Sequence, residues 1–305
     1  MQTTPTFIYY PSPTVVIGVA AMLGYATYCF YSKRPRTFGS GPFPHMLMSH
    51  RGGSREYVEN TMPAFRHSAR LKVDLLELDV QYTKDGKVVI FHDLDLGRIC
   101  GLPDKKINDF NYKDLPPIII PEDLKSKSEV VNDEESTKIP LLETLFQEFP
   151  TYPMQIDVKY GPEPLVIEVG QMIKKLKREN VTLWGSFRPS VNNLCYKHFG
   201  TSIPLFFDVY RFSKLYIAYW IGCLWLIDFR ETAVIMPNLK FLMCRKLFKA
   251  INRQGISIIV FGMKGSLNTD SEWEEIRKIG ANGICTDYPT NLKSWLKAHP
   301  LDKYP

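Results

Sequence analysis

Short apolar runs recur along the chain from Met46 onward, and between them lie segments whose apolar residues are spaced three and four positions apart. The runs are typical of buried strands, and the spacing is typical of amphipathic helices, as in residues 165–178 and 241–252. Strands that alternate with helices in this number predict an α/β fold, a (β/α)8 TIM barrel. The strand candidates read HMLMS, LLELDV, PMQIDV, VTLWGS, IPLFFDV, TAVIMP, SIIVFGM and GICTDYP.

Two segments depart from this alternation. The turn Lys84-Asp85-Gly86 joins LELDVQYT to KVVIFHD, which predicts a β-hairpin. Residues 122–138 are polar and predict a surface loop. We expect the barrel domain, with both segments inside it, to occupy residues 45–300.

The N-terminal region is apolar and carries no charged residue before Lys33. Residues 14–31 form an uncharged run that just reaches the length of a membrane-spanning helix. The basic cluster Lys33, Arg34 and Arg36 follows this run, whereas a cleaved signal peptide has its basic residues before the apolar region. The pattern therefore predicts that residues 1–38 are an uncleaved membrane anchor, and the flanking charges favour a cytosolic barrel.

A second apolar stretch, residues 215–227, reads LYIAYWIGCLWLI. It is too short to span a bilayer and is rich in aromatic residues, so it fits either a buried core helix or a membrane-associating interfacial helix. Both interpretations stay open at this point. If the stretch lies near the barrel rim, it is expected to admit an acyl chain from the bilayer.

The overall composition is that of a folded protein, with 45% hydrophobic and 23% charged residues. These values exclude a disordered or collagen-like chain. The net charge of +6 suits an anionic partner, but the sequence contains no nucleic-acid-binding module and indicates no protein partner. The six cysteines are scattered without a CxxC pair, which argues against a zinc site or a disulfide framework.

The chemistry of the chain begins in the LELDVQ strand, where Glu77 and Asp79 are two positions apart and project from one face. Both carboxylates face water if the alternating leucines face a core. In a barrel strand they face inward instead, and a divalent cation relieves their mutual repulsion. The strand by itself fits both arrangements.

The QIDVK strand repeats the pattern, with Asp157 and Lys159 on one face. An amphipathic structural strand is again the alternative. If both strands belong to one barrel, Asp157 can complete an oxygen-ligand set with Glu77 and Asp79, while Lys159 offers a charge to a phosphate oxygen. Carboxylates without a soft ligand suit Ca²⁺ or Mg²⁺ better than zinc.

Two histidines lie where a barrel enzyme builds its site. His50 ends the first strand candidate and His92 follows the hairpin, so both lie at the C-terminal ends of apolar runs. Arg51 can bind phosphate through its planar guanidinium, and the following Gly52-Gly53 allows close approach of the backbone to a ligand.

Taken together, these residues resemble the signature of the glycerophosphodiester phosphodiesterase family. The resemblance continues through Asp157-Val158-Lys159 and through GICTDYP, which is similar to the last barrel strand of the family. With its apolar N-terminal run, the chain resembles the membrane-bound branch whose members act as lysophospholipases D. The main matching motifs are His50-Arg51-Gly52-Gly53, Glu59-Asn60-Thr61, Glu77-Leu78-Asp79-Val80, Thr83-Lys84-Asp85-Gly86, Val88-Val89 and His92-Asp93.

The resemblance implies a (β/α)8 barrel enzyme with one bound divalent cation, Ca²⁺ or Mg²⁺. The implied metal ligands are Glu77, Asp79 and Asp157. The implied catalytic acid and base are His50 and His92. The implied phosphate-binding residues are Arg51 and Lys159. The family usually has glutamate at the position of Asp157, and it commonly has a tryptophan and an asparagine near the seventh strand, where this chain reads IIVFGMKGSLN.

The activity that the resemblance implies is hydrolysis of a lysophospholipid or a glycerophosphodiester. The reaction releases an alcohol such as choline and leaves lysophosphatidic acid when the substrate is acylated. A free glycerol hydroxyl of the substrate can serve as nucleophile and give a cyclic phosphate first, or water can attack directly. The expected localisation is a membrane, of the endoplasmic reticulum or perinuclear region, with the lipid bilayer as partner.

Two other functions compete with this one. The first is a sphingomyelinase-D-like or phospholipase-C-like enzyme on the same barrel, which differs in the side of the phosphorus that is cleaved. The second is a membrane scaffold with little catalytic activity, which Asp157 and the altered seventh strand favour and which the two histidines and two phosphate-binding cations disfavour.

Overall fold

The structure is a computed structural model that describes residues 12–31, 46–263 and 266–300. One sheet forms its centre, with parallel strands in the spatial order β5-β4-β2-β1-β8-β7-β6 and with β3 antiparallel to β2. The strands are β1 (Met46–Ser49), β2 (Leu75–Tyr82), β3 (Val88–Ile90), β4 (Met154–Val158), β5 (Thr182–Gly185), β6 (Ala233–Pro237), β7 (Ser257–Phe261) and β8 (Gly283–Thr286).

The run IPLFFDV links the two edge strands of this sheet without forming a strand of its own. It makes one parallel bridge from Leu205 to Trp184 on β5 and one from Phe206 to Ala233 on β6. Pro204 has no N–H group to donate, and the helix that follows begins at Val209 with Asp208 as its N-cap, so only a short extended segment remains between them. The fold is a parallel α/β fold consistent with the predicted (β/α)8 barrel.

Helices follow the parallel strands, and two of them correspond to the helix-like segments of the sequence. The segment 165–178 forms α6, whereas only the second part of 241–252 is helical, in α9. The helices are α1 (Pro13–Tyr31), α2 (Met62–Arg70), α3 (Gly97–Cys100), α4 (Ser128–Val131), α5 (Leu142–Glu148), α6 (Glu163–Lys175), α7 (Pro189–Phe199), α8 (Val209–Trp220), α9 (Arg245–Asn252), α10 (Asp270–Ile279) and α11 (Pro289–Ala298). Shorter 3-10 helices are His50–Gly52, Ile107–Asp109, Tyr112–Asp114, Glu122–Leu124, Glu134–Thr137 and Leu224–Leu226.

The predicted hairpin is confirmed by the pairing of β2 with β3. Val80 lies opposite Ile90, and the turn between the strands contains Gly86 with φ of 74°. A positive φ is accessible to glycine without steric cost, so Gly86 suits this turn. The hairpin brings the chain back along β2 and delivers His92 to the end of the sheet where β2 carries its carboxylates.

The apolar residues form three clusters. The main core lies between the sheet and the surrounding helices and includes Leu76, Leu78 and Val80 of β2. An interior cluster consists of Met48, Leu75, Leu183, Phe206, Ala233, Ile235, Ile259 and Cys285. Because these residues come from strands all around the sheet, they fill the inside of the barrel.

A second core packs on the hairpin side of the barrel, and it corrects one prediction. Residues 122–138 were expected to form a surface loop, but they fold into α4 and two 3-10 helices. Leu124 and Val130 are buried there against Val89 and Phe91. The few apolar side chains of this polar segment are therefore structural, and they define the second core.

The N-terminal prediction also requires correction. Residues 1–11 and 32–45, with the basic cluster 33–36, lie outside the described residues, while α1 coincides with the apolar run 14–31. Among the described residues, no helix combines the length and the hydropathy that a membrane span requires. Tyr25 and Thr27 interrupt the apolar run of α1 and lower its hydropathy. The predicted single transmembrane helix and the membrane localisation based on it are therefore contradicted.

The aromatic stretch 215–227 is divided between the end of α8, a turn and the 3-10 helix Leu224–Leu226. Leu215 and Ala218 are buried, whereas Ile217, Trp220 and Ile221 are exposed. The stretch thus combines both interpretations of its sequence, because one face belongs to the core and the other is an exposed apolar surface.

Candidate active site

The carboxylates of β2 and β4 point into the barrel. Leu75 belongs to the interior cluster, and Glu77 and Asp79 share its face of β2 because side chains alternate along a strand. Asp79 and Asp157 are direct partners in the parallel pairing of β2 with β4. The exposed fractions of Glu77, Asp79 and Asp157 are 7%, 0% and 2%. The alternative in which these carboxylates face water is therefore wrong.

Lys159 lies between the two aspartates. Its Nζ atom is 3.0 Å from Oδ1 of Asp79 and forms an ion pair with Asp157. Burial disfavours the lysine charge, but the two carboxylates outweigh burial and raise the pKa of Lys159. Burial likewise acts to raise the pKa of Asp79, and the charges of Lys159 and Arg51 outweigh it and hold that pKa well below its usual range. Lys159 is thus a fixed positive charge at the ends of β2 and β4.

Glu77 and Asp157 have less compensation. Burial and then the charge of Asp79 raise the pKa of Glu77 to about 7. Burial is also the main cause of the raised pKa of Asp157, although Lys159 acts in the opposite direction. Three buried carboxylates next to one ammonium group leave excess negative charge inside the barrel.

Arg51 lies in a strained 3-10 helix directly after β1. Its φ is 51°, and its backbone N–H donates to Oε2 of Glu77 at 2.6 Å. Its guanidinium donates to Glu59, and its Nε is 3.6 Å from Oδ2 of Asp79. A non-glycine residue with positive φ costs free energy, and such strain is concentrated at functional sites. The backbone thereby holds the arginine over the carboxylates.

The two glycines after Arg51 allow the chain to turn closely past its neighbours. Both have positive φ, and a Cβ atom on Gly52 would lie 2.9 Å from that of Ala64. A Cβ atom on Gly53 would lie 2.8 Å from Pro289. In the structure this close approach is made to α2 and α11, and the approach to a ligand that the sequence suggested stays a prediction.

His50 is oriented by an acidic residue from the opposite end of the chain. Its Nδ1 atom lies 2.6 Å from Oδ1 of Asp287, which also accepts a hydrogen bond from Ser54. Asn268 donates to the other carboxylate oxygen at 3.2 Å. Burial acts to lower the pKa of His50, but its hydrogen bond to Asp287 and the charge of Glu77 outweigh burial, so that the pKa is raised.

His92 has a similar arrangement. Its Nδ1 atom lies 2.6 Å from Oδ1 of Asp93, whose other oxygen accepts a hydrogen bond from Nε of Arg98. Arg98 also donates two hydrogen bonds to Glu59, the partner of Arg51. With Nδ1 of both histidines engaged by carboxylates, the Nε2 atoms are the ones that can exchange protons with a substrate.

A polar cavity of about 470 Å³ is lined by His50 and Arg51, whereas His92, Lys159 and the three carboxylates are not among the described residues that line it. Its size is within the range of small-molecule sites, about 300–1,000 Å³. Its wall contains positive and proton-transferring groups suited to an anionic substrate, together with Phe261 and Met263 on one side. The polar residues at its wall are His50, Arg51, Ser54, Arg55, Glu59, Arg98, Asp123 and Asp287.

The carboxylates also fit the chemistry of a divalent cation. The Oδ1 atom of Asp157 is buried and has no hydrogen-bond partner, whereas Oδ1 of Asp79 is buried beside Nζ of Lys159. Unpartnered carboxylate oxygens are the donors that Mg²⁺ and Ca²⁺ prefer. Within residues 12–31, 46–263 and 266–300, however, no three His, Cys, Asp or Glu side chains converge closely enough to form a complete ligand set. The donor types fit, and Lys159 provides the positive charge between the two aspartates.

The sequence did not identify several polar residues that the structure adds to the site. In the sequence, Glu59, Asp93 and Asp287 occur only within the longer motifs that carry the family resemblance, and Arg98 belongs to none of these motifs. Asp93 could have been found, because a carboxylate adjacent to a candidate histidine is a common orienting group. Asp287 could not, since its role depends on the pairing of β1 with β8.

A family model and named relatives match this sequence. Residues 50–198 match the model of the glycerophosphoryl diester phosphodiesterase family. The mouse protein named lysophospholipase D GDPD1 is 33% identical over 273 residues, which cover 82% of this chain and 85% of that protein. The human lysophospholipase D GDPD3 is 31% identical over 325 residues, with 96% of each chain covered.

Solved structures share the fold. A putative glycerophosphoryl diester phosphodiesterase from Silicibacter pomeroyi superposes with a TM-score of 0.67 at 16% identity, covering 86% of this chain and 96% of that one. The glycerophosphodiester phosphodiesterase of Thermotoga maritima gives a TM-score of 0.59 at 24% identity, covering 84% and 98%. At these identities the superpositions show the architecture alone.

Proposed function

Since the chain belongs to the glycerophosphoryl diester phosphodiesterase family and is a phosphoric diester hydrolase, we propose that it acts as a lysophospholipase D. The proposed substrate is a lysophospholipid such as lysophosphatidylcholine, and the products are lysophosphatidic acid and the free alcohol. Glycerophosphodiesters are proposed as further substrates. The names of the relatives support this substrate class, and the polar cavity supports an anionic ligand.

Arg51 and Lys159 are proposed to bind the phosphate. Attack at phosphorus adds negative charge to the equatorial oxygens, and fixed positive groups stabilise that charge in a site screened from water. Arg51 is held by Glu59 and Lys159 by two aspartates, so neither cation has to be reordered when the substrate binds. This preorganisation supports the phosphate-binding role that the sequence predicted for both residues.

His50 and His92 are proposed as the acid and base. The raised pKa of His50 keeps its proton to higher pH than a free imidazole does, which suits protonation of the leaving alcohol. His92, oriented by Asp93, would then accept the proton of the nucleophile. The single observation that carries the proposal is this pair of carboxylate-oriented histidines at the arginine- and lysine-rich end of the barrel.

A divalent cation, Ca²⁺ or Mg²⁺, is proposed to bind to Glu77, Asp79 and Asp157. When bound, it would supply Lewis-acid stabilisation of the phosphate oxygens. The unpartnered Oδ1 atom of Asp157 supports this ligand set, as do the burial of Glu77 and the charge of Asp79, which together raise the pKa of Glu77.

A lipid surface is the proposed source of the substrate. The side chains of Ile217, Trp220 and Ile221 project into solvent from the end of α8 and the turn after it. Exposed aromatic and aliphatic side chains of this kind bind at the boundary between head groups and acyl chains. Flotation with phosphatidylcholine vesicles tests the contact, and equal flotation of wild type and a Trp220→Ser, Ile221→Ser double variant would contradict it.

The decisive test of the reaction is choline release from lysophosphatidylcholine by the full chain, with Ca²⁺, with Mg²⁺ and with chelator. We expect cation-dependent release that His50→Ala abolishes. A product containing phosphocholine instead would show cleavage on the other side of the phosphorus and would contradict the lysophospholipase D assignment.

A further inference from the structure

An apolar groove of about 600 Å³ lies beside the polar cavity. Its floor is formed by the ends of β6 and β7, and its sides by α8 and the loop after β6. Six of its side chains define it: Phe187, Phe212, Tyr216, Phe241, Phe261 and Met263. Among the residues that line this groove, the proposed function assigns a role only to Ile217, in contact with a lipid surface.

The groove adjoins the polar cavity. Phe261 and Met263 line both spaces, so the groove and the cavity meet at these two side chains. A second link lies deeper, where Nζ of Lys159 is 5.9 Å from the ring centroid of Phe187. A molecule whose phosphate contacts Lys159 therefore has an apolar surface within reach on the same side of the barrel.

The polar groups of the groove are too few, and too engaged, to bind a polar ligand. The lining residues with polar side chains are Asp208, Ser213 and Tyr216. Asp208 accepts hydrogen bonds from the backbone N–H groups of Tyr210 and Arg211 at the start of α8. The hydroxyl groups of Ser213 and Tyr216 donate to backbone carbonyls. A peptide in the groove would leave its own backbone groups without partners, which a hydrocarbon chain does not.

From this adjacency and this lining, we infer that the groove binds the acyl chain of the lysophospholipid whose phosphodiester is cleaved beside it. The inference rests on the proposed function and extends it, because it assigns substrate selection to residues outside the catalytic groups. The groove has the volume of a ligand pocket, about 300–1,000 Å³, and is open to solvent on its outer side at Ile217 and Phe241. The acyl chain can thus enter the groove from the protein surface while the head group enters the polar cavity.

The first test is the dependence of kcat/KM on acyl-chain length, measured with monomeric lysophosphatidylcholines below their micelle concentration. Each methylene removed from water favours binding, so kcat/KM is expected to rise at least about twofold for each added methylene until the groove is filled. Glycerophosphocholine, which lacks the acyl chain, serves as the reference substrate. A flat dependence in the wild type, with glycerophosphocholine still cleaved, would overturn the groove and leave the phosphodiesterase in place.

Ile217→Glu is the main variant, because Ile217 is 59% exposed and a charge there does not have to be buried. The matched control is Ile119→Glu. Ile119 is 53% exposed and lines neither the groove nor the polar cavity. We expect Ile217→Glu to lower kcat/KM for the palmitoyl substrate at least about tenfold more than for glycerophosphocholine, whereas the control lowers both equally or not at all. Equal losses on both substrates in Ile217→Glu would overturn the inference.

A binding measurement separates the groove from the reaction. Palmitoyl lysophosphatidylcholine is titrated into the His50→Ala protein with and without Ile217→Glu. Weaker binding in the double variant, even if no preparation cleaves a phosphodiester, supports the groove and overturns only the proposed reaction. Equal binding by the two proteins overturns the groove. Phe241→Glu, at a position 65% exposed, is the second variant and has the same expected results.

Discussion

His50 and Asp287 are 237 positions apart in the chain, yet Nδ1 of the histidine lies 2.6 Å from the aspartate Oδ1. The cause is the parallel pairing of β1 with β8, in which Ser49 lies opposite Thr286. His50 and Asp287 are the residues that directly follow this pair. The contact between the first and last parallel strands thereby sets the geometry of a histidine that is proposed to be catalytic.

Asp287→Asn is expected to shift the pH dependence of the reaction. The substitution removes the charge that raises the pKa of His50 but keeps an oxygen that can accept its Nδ1 hydrogen. The pKa of His50 therefore falls, and the limb of the kcat/KM profile that it governs moves to lower pH. Asp114→Asn, at an exposed position on the hairpin side, is the control and should leave the profile in place. An unmoved limb in Asp287→Asn would show that His50 does not govern it.

The roles of the two histidines can be separated with an activated substrate. If His50 protonates the leaving alcohol, then a p-nitrophenyl ester of glycerophosphate, whose leaving group needs no proton, should restore much of the activity of His50→Ala. The same substrate should not restore His92→Ala, because the nucleophile still requires a base. Rates for the choline and p-nitrophenyl esters are compared in both variants. If the p-nitrophenyl ester restored activity only to His92→Ala, His92 would be the acid and His50 the base.

Lys159→Met is expected to make stability depend on divalent cations. The substitution leaves Asp79 and Asp157 buried without their ammonium partner, and removal of one member of a buried ion pair costs about 3–5 kcal/mol. In the presence of chelator, the melting temperature of Lys159→Met should lie below that of the wild type. Adding Mg²⁺ or Ca²⁺ should raise the melting temperature of the variant by more than it raises that of the wild type. Lys174→Met, which removes a surface pair with Glu179, is the control. Equal cation effects in the variant and the wild type would argue against a metal at these aspartates.

Arg98 is expected to act as a positioning residue. It joins Asp93, the partner of His92, to Glu59, the partner of Arg51. Arg98→Met should lower kcat about tenfold or more, because misoriented groups stabilise the transition state less well. Arg98→Lys should restore part of the lost kcat. The kinetic constants for glycerophosphocholine provide the measurement. A change confined to KM would mean that Arg98 binds substrate directly.

The strands, and the positions of the candidate site residues on them, could be predicted from sequence because their signals are local. Alternating side chains on LELDVQ and QIDVK placed Glu77, Asp79 and Asp157 on defined strand faces, and the barrel then turned those faces inward. The choice between water and the interior could not be made from either strand alone. It required the neighbouring strands that complete the interior cluster.

Other features depend on contacts that no local pattern encodes. The run IPLFFDV has the composition of a strand, but Pro204 and the start of α8 at Val209 shorten it to two bridges. Residues 122–138 look like a loop because only a few of their side chains, such as Leu124 and Val130, are buried. The prediction of a membrane span rested on apolar residues alone and did not weigh the polar ones within α1.

The second core has a consequence for how the enzyme loses activity on heating. His50 follows a central strand of the barrel, whereas His92 directly follows Phe91, whose side chain is anchored in the second core. Separate apolar clusters can open with different free energies. Partial melting of the second core would displace His92, the proposed base, while the barrel keeps its secondary structure. Inactivation is therefore expected at a lower temperature than the loss of the circular dichroism signal, so the catalytic lifetime of this protein is set by its second core.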